Sequence, residues 1–282
     1  MSRFIECLVR NIKILAGDTL LETGEEREIR ECLEMRNFGF ISQGIFDKYG
    51  VLQKTELLAR FRGHDGREIM PGVFLPIIEK MKYKMVFDYL VMEKAFERIS
   101  HAEPDIRAES AISYSININP TTFKDEQRFL AGVDLLQNRY KIHPTQVIFE
   151  ILETEPIEDE DYDRFNEILL RLRRKGYKIA VDDFHPVGNH NLVCINRLHE
   201  IDTVKFDGVY MRDLYKCHGK GFVTKELGET LATILEKHPI VDIVVEKIEN
   251  EAMFKFFQGI FEKLGIERVY YQGHYFDKGL PF

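Results

Sequence analysis

Eight polar residues interrupt apolar runs at a matching depth: Glu56, Asn117, Glu150, Asp182, Asp183, Lys205, Glu246 and Gln272. Crowded carboxylates need a counter-charge, because mutual repulsion otherwise forces protonation. The set is rich in oxygen and lacks His and Cys, so the cations that suit it are Mg²⁺ or Mn²⁺ rather than Zn²⁺. The adjacent pair Asp182–Asp183 can reach two ions about 3.5–4 Å apart, the two-metal arrangement used in phosphoester hydrolysis. A neighbouring lysine can orient or activate the attacking water if burial and nearby cations lower its pKa. A single carboxylate at a strand end is ordinarily a helix cap or a solvated rim residue. Polar residues at one depth in seven consecutive runs are not what core packing produces.

The elements that must position these residues alternate regularly. Short β-branched or aromatic runs occupy 38–47, 51–62, 111–118, 146–154, 177–184, 203–211, 242–249 and 268–273. Helix-like stretches lie near 74–99, 122–140, 160–175, 189–198, 222–237 and 250–264. Only Lys48, Tyr49 and Gly50 separate the first two runs, which suits a hairpin and not a helical crossover. Strand then helix, repeated, predicts an α/β fold with a mostly parallel sheet, for which a closed barrel is the natural count. No glycine-rich GxGxxG turn follows an early strand, against a doubly wound nucleotide fold. In a parallel barrel the strand C-terminal ends converge on one mouth. Asn117, Glu150 and Asp182 follow at intervals of 33 and 32 residues, one βα unit each, so five carboxylates, two carboxamides and a lysine are expected to share one cup.

The composition agrees. The 282 residues are 44% hydrophobic and 30% charged, enough for one barrel-sized core. A net charge of −8 argues against an extended nucleic-acid surface and leaves room for a small phosphorylated ligand. Cys7, Cys32, Cys194 and Cys217 form no CxxC pair, which excludes a zinc ribbon and reads as reduced thiols of a cytoplasmic protein. Residues 4–16 are apolar but interrupted by Arg10 and Lys13, too short and too charged for a transmembrane segment or a signal peptide. Phe4, Leu8 and Ile12 with Ile5 and Val9 predict an amphipathic helix that packs on the domain or on a partner. Residues 1–30 are therefore expected to be a short helical N-terminal extension, an interaction helix or a homodimer contact, with the barrel domain at 31–282.

Ordered motifs resemble one family, the EAL-domain phosphodiesterases of cyclic di-GMP. ELLARF (56–61) resembles the naming motif, with Arg60 at the family's arginine and Phe61 for its usual Trp. GREIMPGVFLPIIEK (66–80) follows, and SININP (115–120) is similar to SVNLSP. FEILET (149–154) stands for LELTES, VDDF (181–184) keeps the aspartate pair, and VKFDGVYM resembles VKIDRSFV. VVEKIE resembles VAEGVE, and YYQGHYFDKGLP resembles YVQGYLFSKPLP. The resemblance runs from about residue 30 to 282. It implies a modified TIM (β/α)₈ barrel whose first strand is antiparallel. It implies that Glu56, Asn117, Glu150, Asp182, Asp183 and Glu246 hold two Mg²⁺ or Mn²⁺ ions, that Lys205 positions or deprotonates the water with Gln272 in support, and that Glu153 is a second, loop-positioning acid. Gln43 and Arg60 would hold the guanine side and phosphate of cyclic di-GMP, which would be opened to linear pGpG in bacterial second-messenger signalling.

Three departures bear on that expectation. From the second aspartate on, the loop reads DFHPVGNHNL, one residue longer than the family's DFGTGYSSL segment, with His185, Pro186 and Val187 where small residues stand. Proline fixes φ and removes an N–H, so this loop has a different backbone. Leu152 replaces a Thr, and Lys247 replaces the Gly of EGVE, bringing a long cation beside Glu246. His185 and His190 read as solvated loop histidines rather than added ligands. The alternative to an enzyme is a catalytically degenerate domain that binds cyclic di-GMP, or a protein partner, without turnover. A scaffold that binds no nucleotide is disfavoured by Arg60 and Gln43, which have no evident structural need.

Overall fold

The structure, a computed structural model, describes residues 23–102, 112–152, 157–186, 189–217 and 219–279. The apolar stretch at 4–16, Cys7 and Glu153 lie outside them. The first described helix, α1 (Gly24–Met35), opens with a capping box in which Thr23 and Glu26 satisfy each other's backbone N–H groups, and it buries Ile29, Cys32 and Leu33. It runs across the expected division at residue 30.

Strands β1 (Phe38–Phe46) and β2 (Leu52–Arg62) pair antiparallel from Phe38↔Phe61 to Phe46↔Leu52. The connection is too short for a parallel crossover. Asp47 organises it, its Oδ1 accepting from the N–H of Tyr49 at 2.8 Å and of Val51 at 2.9 Å, while Gly50 supplies a φ of +78°. A two-residue strand β3 (Glu68–Ile69) pairs with the end of β2. The expected helical stretch at 74–99 is two helices, α2 (Pro71–Lys80) and α3 (Lys84–His101), separated by a turn in which Lys82 takes a φ of +58°. Phe61 stacks on Phe74 at 4.3 Å and packs edge-on to Phe87 at 5.9 Å. These rings cluster where β2 continues past its last pair with the next barrel strand, at Leu57.

Six parallel strands follow: β4 (Ser113–Ile118), β5 (Val147–Ile151), β6 (Lys178–Phe184), β7 (Thr203–Phe206), β8 (Asp242–Val245) and β9 (Val269–Gln272). Each is hydrogen-bonded in parallel to the next, β4 to β2, and β9 closes onto β1 antiparallel at Ile45↔Gln272. Eight strands thus close a mixed barrel, a modified TIM fold with β1 reversed. The helices between them are α4 (Glu126–Tyr140), α5 (Tyr162–Arg174), α6 (Asn189–Arg197), α7 (Gly208–Cys217), α8 (Lys220–Lys237) and α9 (Glu251–Leu264). The run at 203–211 is strand only to Phe206. Asp207 accepts a hydrogen bond from the Tyr210 N–H at 2.6 Å and starts α7. No helix among the described residues is long and apolar enough to cross a membrane.

The floor of the barrel carries its own ion pair. Buried Lys54 donates to Asp242 at 2.7 Å and to Thr203 at 3.0 Å, and lies 4.9 Å from the Tyr270 ring centre. Arg268 donates to the other oxygen of Asp242 at 2.8 Å. Inward-facing residues recur every second position along a strand, so Glu56 on β2 and Lys205 on β7 stand one layer above this floor, toward the mouth.

Candidate functional site

Lys205 is the centre of the mouth. It is 1% exposed, and its Nζ lies 3.1 Å from Glu56, 3.3 Å from Glu150, 2.8 Å from Asp182 and 2.9 Å from Glu246. Four acids from β2, β5, β6 and the end of β8 therefore ring one ammonium. Asn117 on β4 donates to Glu56 at 3.1 Å, and Gln272 on β9 donates to Glu56 at 2.6 Å and to Gln43 on β1 at 3.1 Å.

Local backbone features aim these groups. Successive strand residues face opposite sides, so an adjacent Asp pair cannot ordinarily share one cavity. Here the pairing of β6 with β7 shifts between Val181 and Phe184, and Asp183 adopts a φ of +48°, a bulge that turns both carboxylates to the mouth. Gly273, with a φ of +152°, lets the chain after β9 press on Ile248. A Cβ there would collide with the Ile248 backbone, and the Ile248 N–H to Gln272 carbonyl bond of 3.0 Å would be lost. Asp88 on α3, fully buried, accepts from the Asn119 N–H at 2.9 Å, the Asn119 Nδ2 at 2.8 Å and the Thr122 hydroxyl at 2.5 Å, fixing the turn that follows Asn117.

The electrostatics are unbalanced. Burial opposes the charge on Lys205, but Asp182, Glu150, Glu246 and Glu56 outweigh it and hold the ammonium well above its usual range. Burial also works against ionised Glu56, yet Lys205 and the hydrogen bonds from Gln272 and Asn117 keep that carboxyl below its ordinary value. Burial dominates at Glu150, which is pushed well up, and at Glu246, pushed up to about 8 with help from Asp182 and Glu56. Asp183 is more exposed, but partial burial and the Asp182 charge raise it to about 6. One lysine does not neutralise this ring.

The donor set suits a hard cation. Carboxylate oxygens of Glu56, Glu150 and Asp182 lie within 4.8 Å of one another, as do those of Asp182, Asp183 and Glu246. Asn117 Oδ1, Asp182 Oδ1 and Gln272 Oε1 are buried and accept no hydrogen bond, the Asp182 oxygen being close to Lys205 but off the angle for one. Buried oxygens beside two overlapping acid trios are donors of the kind that fit a hard divalent cation.

A cavity of about 440 Å³ opens over the ring, lined by Gln43, Glu56, Asp182, Asp183, Glu246 and Gln272 together with Leu58, Lys247, Glu249, Gly273 and His274. Arg60 stands apart from this lining. Its Nε is 3.3 Å from Glu68 on β3 and its Nη1 donates to the Ala59 carbonyl. His185 packs on the Tyr210 ring at 4.7 Å. His274 and Asp88 were not anticipated. His274 was legible only as the neighbour of Gln272 in YYQGH, and a lone carboxylate inside a helix such as Asp88 gives no signal.

A modified TIM barrel with a carboxylate ring and one lysine at the strand C-terminal ends is the class that fold and site define. The sequence model of the EAL domain matches residues 26–278, and the chain belongs to the EAL domain family. Among curated relatives, "Probable cyclic di-GMP phosphodiesterase PdeA" of Escherichia coli (strain K12) is 27% identical over 95% of this chain and 34% of that protein. "Cyclic di-GMP phosphodiesterase PdeF" of the same organism is 26% identical over 90% of this chain and 31% of its own length. The chain thus spans about a third of these relatives. Among solved structures, "PaMucR Phosphodiesterase, c-di-GMP complex" superposes with a TM-score of 0.73 at 22% identity, covering 92% of this chain and 98% of that one.

Proposed function

We propose that the chain hydrolyses cyclic di-GMP to linear pGpG in bacterial second-messenger signalling, using two Mg²⁺ or Mn²⁺ ions. The observation that carries this is the ring of four acids on Lys205, with the buried oxygens of Asn117 and Gln272 left without donors. Family membership and the names of the relatives support the substrate. Glu56, Asn117, Glu150, Asp182, Asp183 and Glu246 would hold the ions. When bound, such ions supply Lewis acidity toward the phosphate and acidify a coordinated water. Lys205, held as an ammonium by its acids, orients the attacking water. Gln272, held in turn by Gln43, fixes the Glu56 carboxylate, both glutamines line the path of the guanine side, and Arg60 reaches the attacked phosphate by exchanging Glu68 for it. Water adds at one of the two phosphodiesters, the P–O bond to the ribose oxygen breaks, and that oxygen leaves with a proton. On this reading the protein works in the cytoplasm.

The test is incubation of purified protein with cyclic di-GMP and Mn²⁺ or Mg²⁺. Appearance of pGpG above a Glu56→Ala control is expected, and its absence overturns the enzyme. The rewritten segment at 185–191 favours one second reading, a receptor without turnover. Binding in Ca²⁺ with no hydrolysis in Mn²⁺ or Mg²⁺ would assign it.

A further inference from the structure

The residue after Glu246 is unusual in three independent ways. Lys247 has a φ of +51°, a backbone region that costs a side-chain-bearing residue about 1 kcal/mol or more. Its stem lies over buried Gly208, where a Cβ would overlap the Cβ, Cγ and Cδ of Lys247. Gly208 and Lys247 follow two charged residues of the mouth, three residues after Lys205 and one after Glu246. The strained lysine therefore occupies room that a glycine keeps for it. Its side chain lines the same cavity as Glu56, Asp183 and Gln272, where its charge favours ionised Asp183 from beyond hydrogen-bond or ion-pair distance.

A long cation aimed freely into an acidic cavity has a use if the ligand brings its own negative charge. A cyclic dinucleotide carries two phosphodiester anions, and the carboxylate ring with its ions is built to take one. The second anion needs a protein cation. Arg60, which leaves Glu68 for the phosphate that is attacked, stands outside the cavity lining and does not serve the second anion. We infer that Lys247 is a substrate-binding residue, its ammonium holding the phosphodiester that is not attacked, in a seat made by Gly208. This rests on the reading of the ligand as cyclic di-GMP and adds a contact to it. A phosphodiester oxygen and a free ammonium form a charge-assisted hydrogen bond at small entropic cost when the stem is already packed.

The experiment is calorimetric binding of cyclic di-GMP to the whole chain in Ca²⁺, with separate titrations of Ca²⁺ alone. Lys247→Met keeps the stem and removes the charge. It is expected to weaken nucleotide binding about tenfold and to flatten its salt dependence, without weakening Ca²⁺ binding in the titration of Ca²⁺ alone. Lys247→Arg should restore most of the affinity. Gly208→Ala, which displaces the stem without altering any charge, should weaken binding in the same direction and add little on top of Lys247→Met. Equal or tighter binding by Lys247→Met, or loss of Ca²⁺ affinity in step with nucleotide affinity, overturns the assignment. No binding by the unaltered chain overturns the cyclic di-GMP reading and this contact with it, whereas normal binding by both chains overturns the contact alone.

Discussion

Two buried lysines face the inside of this barrel, and they sit in opposite electrostatic situations. Lys54 at the floor meets one carboxylate, which a second cation, Arg268, also serves, and a hydroxyl takes another of its protons. Burial lowers its pKa, Asp242 only partly opposing. Lys205 at the mouth meets four carboxylates and is driven upward. At the floor the one carboxylate has both oxygens paired, as a structural plug requires. The mouth carries an excess of acid that only added protons or added cations relieve. Burial of a lysine therefore says little by itself; the ratio of acids to cations around it separates support from chemistry.

The sharpest test of that contrast removes each lysine in turn. Lys205→Met should lower cyclic di-GMP hydrolysis by about 10³-fold in a protein that remains folded, measured as turnover corrected for the folded fraction. Lys54→Met should do the reverse, costing about 3 kcal/mol in urea unfolding while leaving turnover per folded molecule unchanged. If Lys54→Met abolished activity without loss of stability, the division between floor and mouth would be wrong.

Next in size is the response to pH and metal. Glu246 and Glu150 have raised pKa values in the fold, Glu246 to about 8 against an ordinary 4.5. Between those limits the folded chain binds more protons than the unfolded one, so metal-free stability is full below about pH 4.5 and is lost as pH rises toward 8. Calorimetric melting in chelator should show that fall. Mn²⁺ should reverse it, raising Tm by about 3–6 °C at pH 8 and by less at pH 5.5. A melting temperature indifferent to pH and metal would mean that the acids at the mouth are as fully paired as Asp242 at the floor. The smallest effect is that of Asp88→Asn, which loses part of a three-bond anchor and should cost about 1–2 kcal/mol. Because that anchor holds the turn after Asn117, Mn²⁺ affinity should fall a few-fold with it, which an equivalent loss of stability at the floor would not cause.

The barrel was legible because each strand is a short apolar run and each βα unit returns at a similar spacing; β5 and β8 are buried on both faces and read as continuous hydrophobic segments apart from Glu150 and Asp242. The site was legible for the same reason, since a Glu, Asn or Lys in such a run has no packing use. What periodicity could not show were changes of backbone direction. The bulge at Asp182–Asp183, the early stop of β7 at Phe206 and the break between α2 and α3 each depend on one or two residues in special conformations or at a cap. The pairing of Lys247 with Gly208 spans two strands, and no local pattern contains both. Nor could the sequence place Arg60 against Glu68, since β3 is only two residues long.

The reversal of β1 has a mechanical consequence. Because that strand runs from mouth to floor while the last strand runs from floor to mouth, the chain enters the barrel beside α1 and leaves it after Gln272 on the same rim. A tether pulling on either end, or a neighbour leaning on one, loads the rim that carries the carboxylates and leaves the opposite end slack. In a barrel with all strands alike, the two ends would emerge at opposite poles and such a force would be shared along the whole wall.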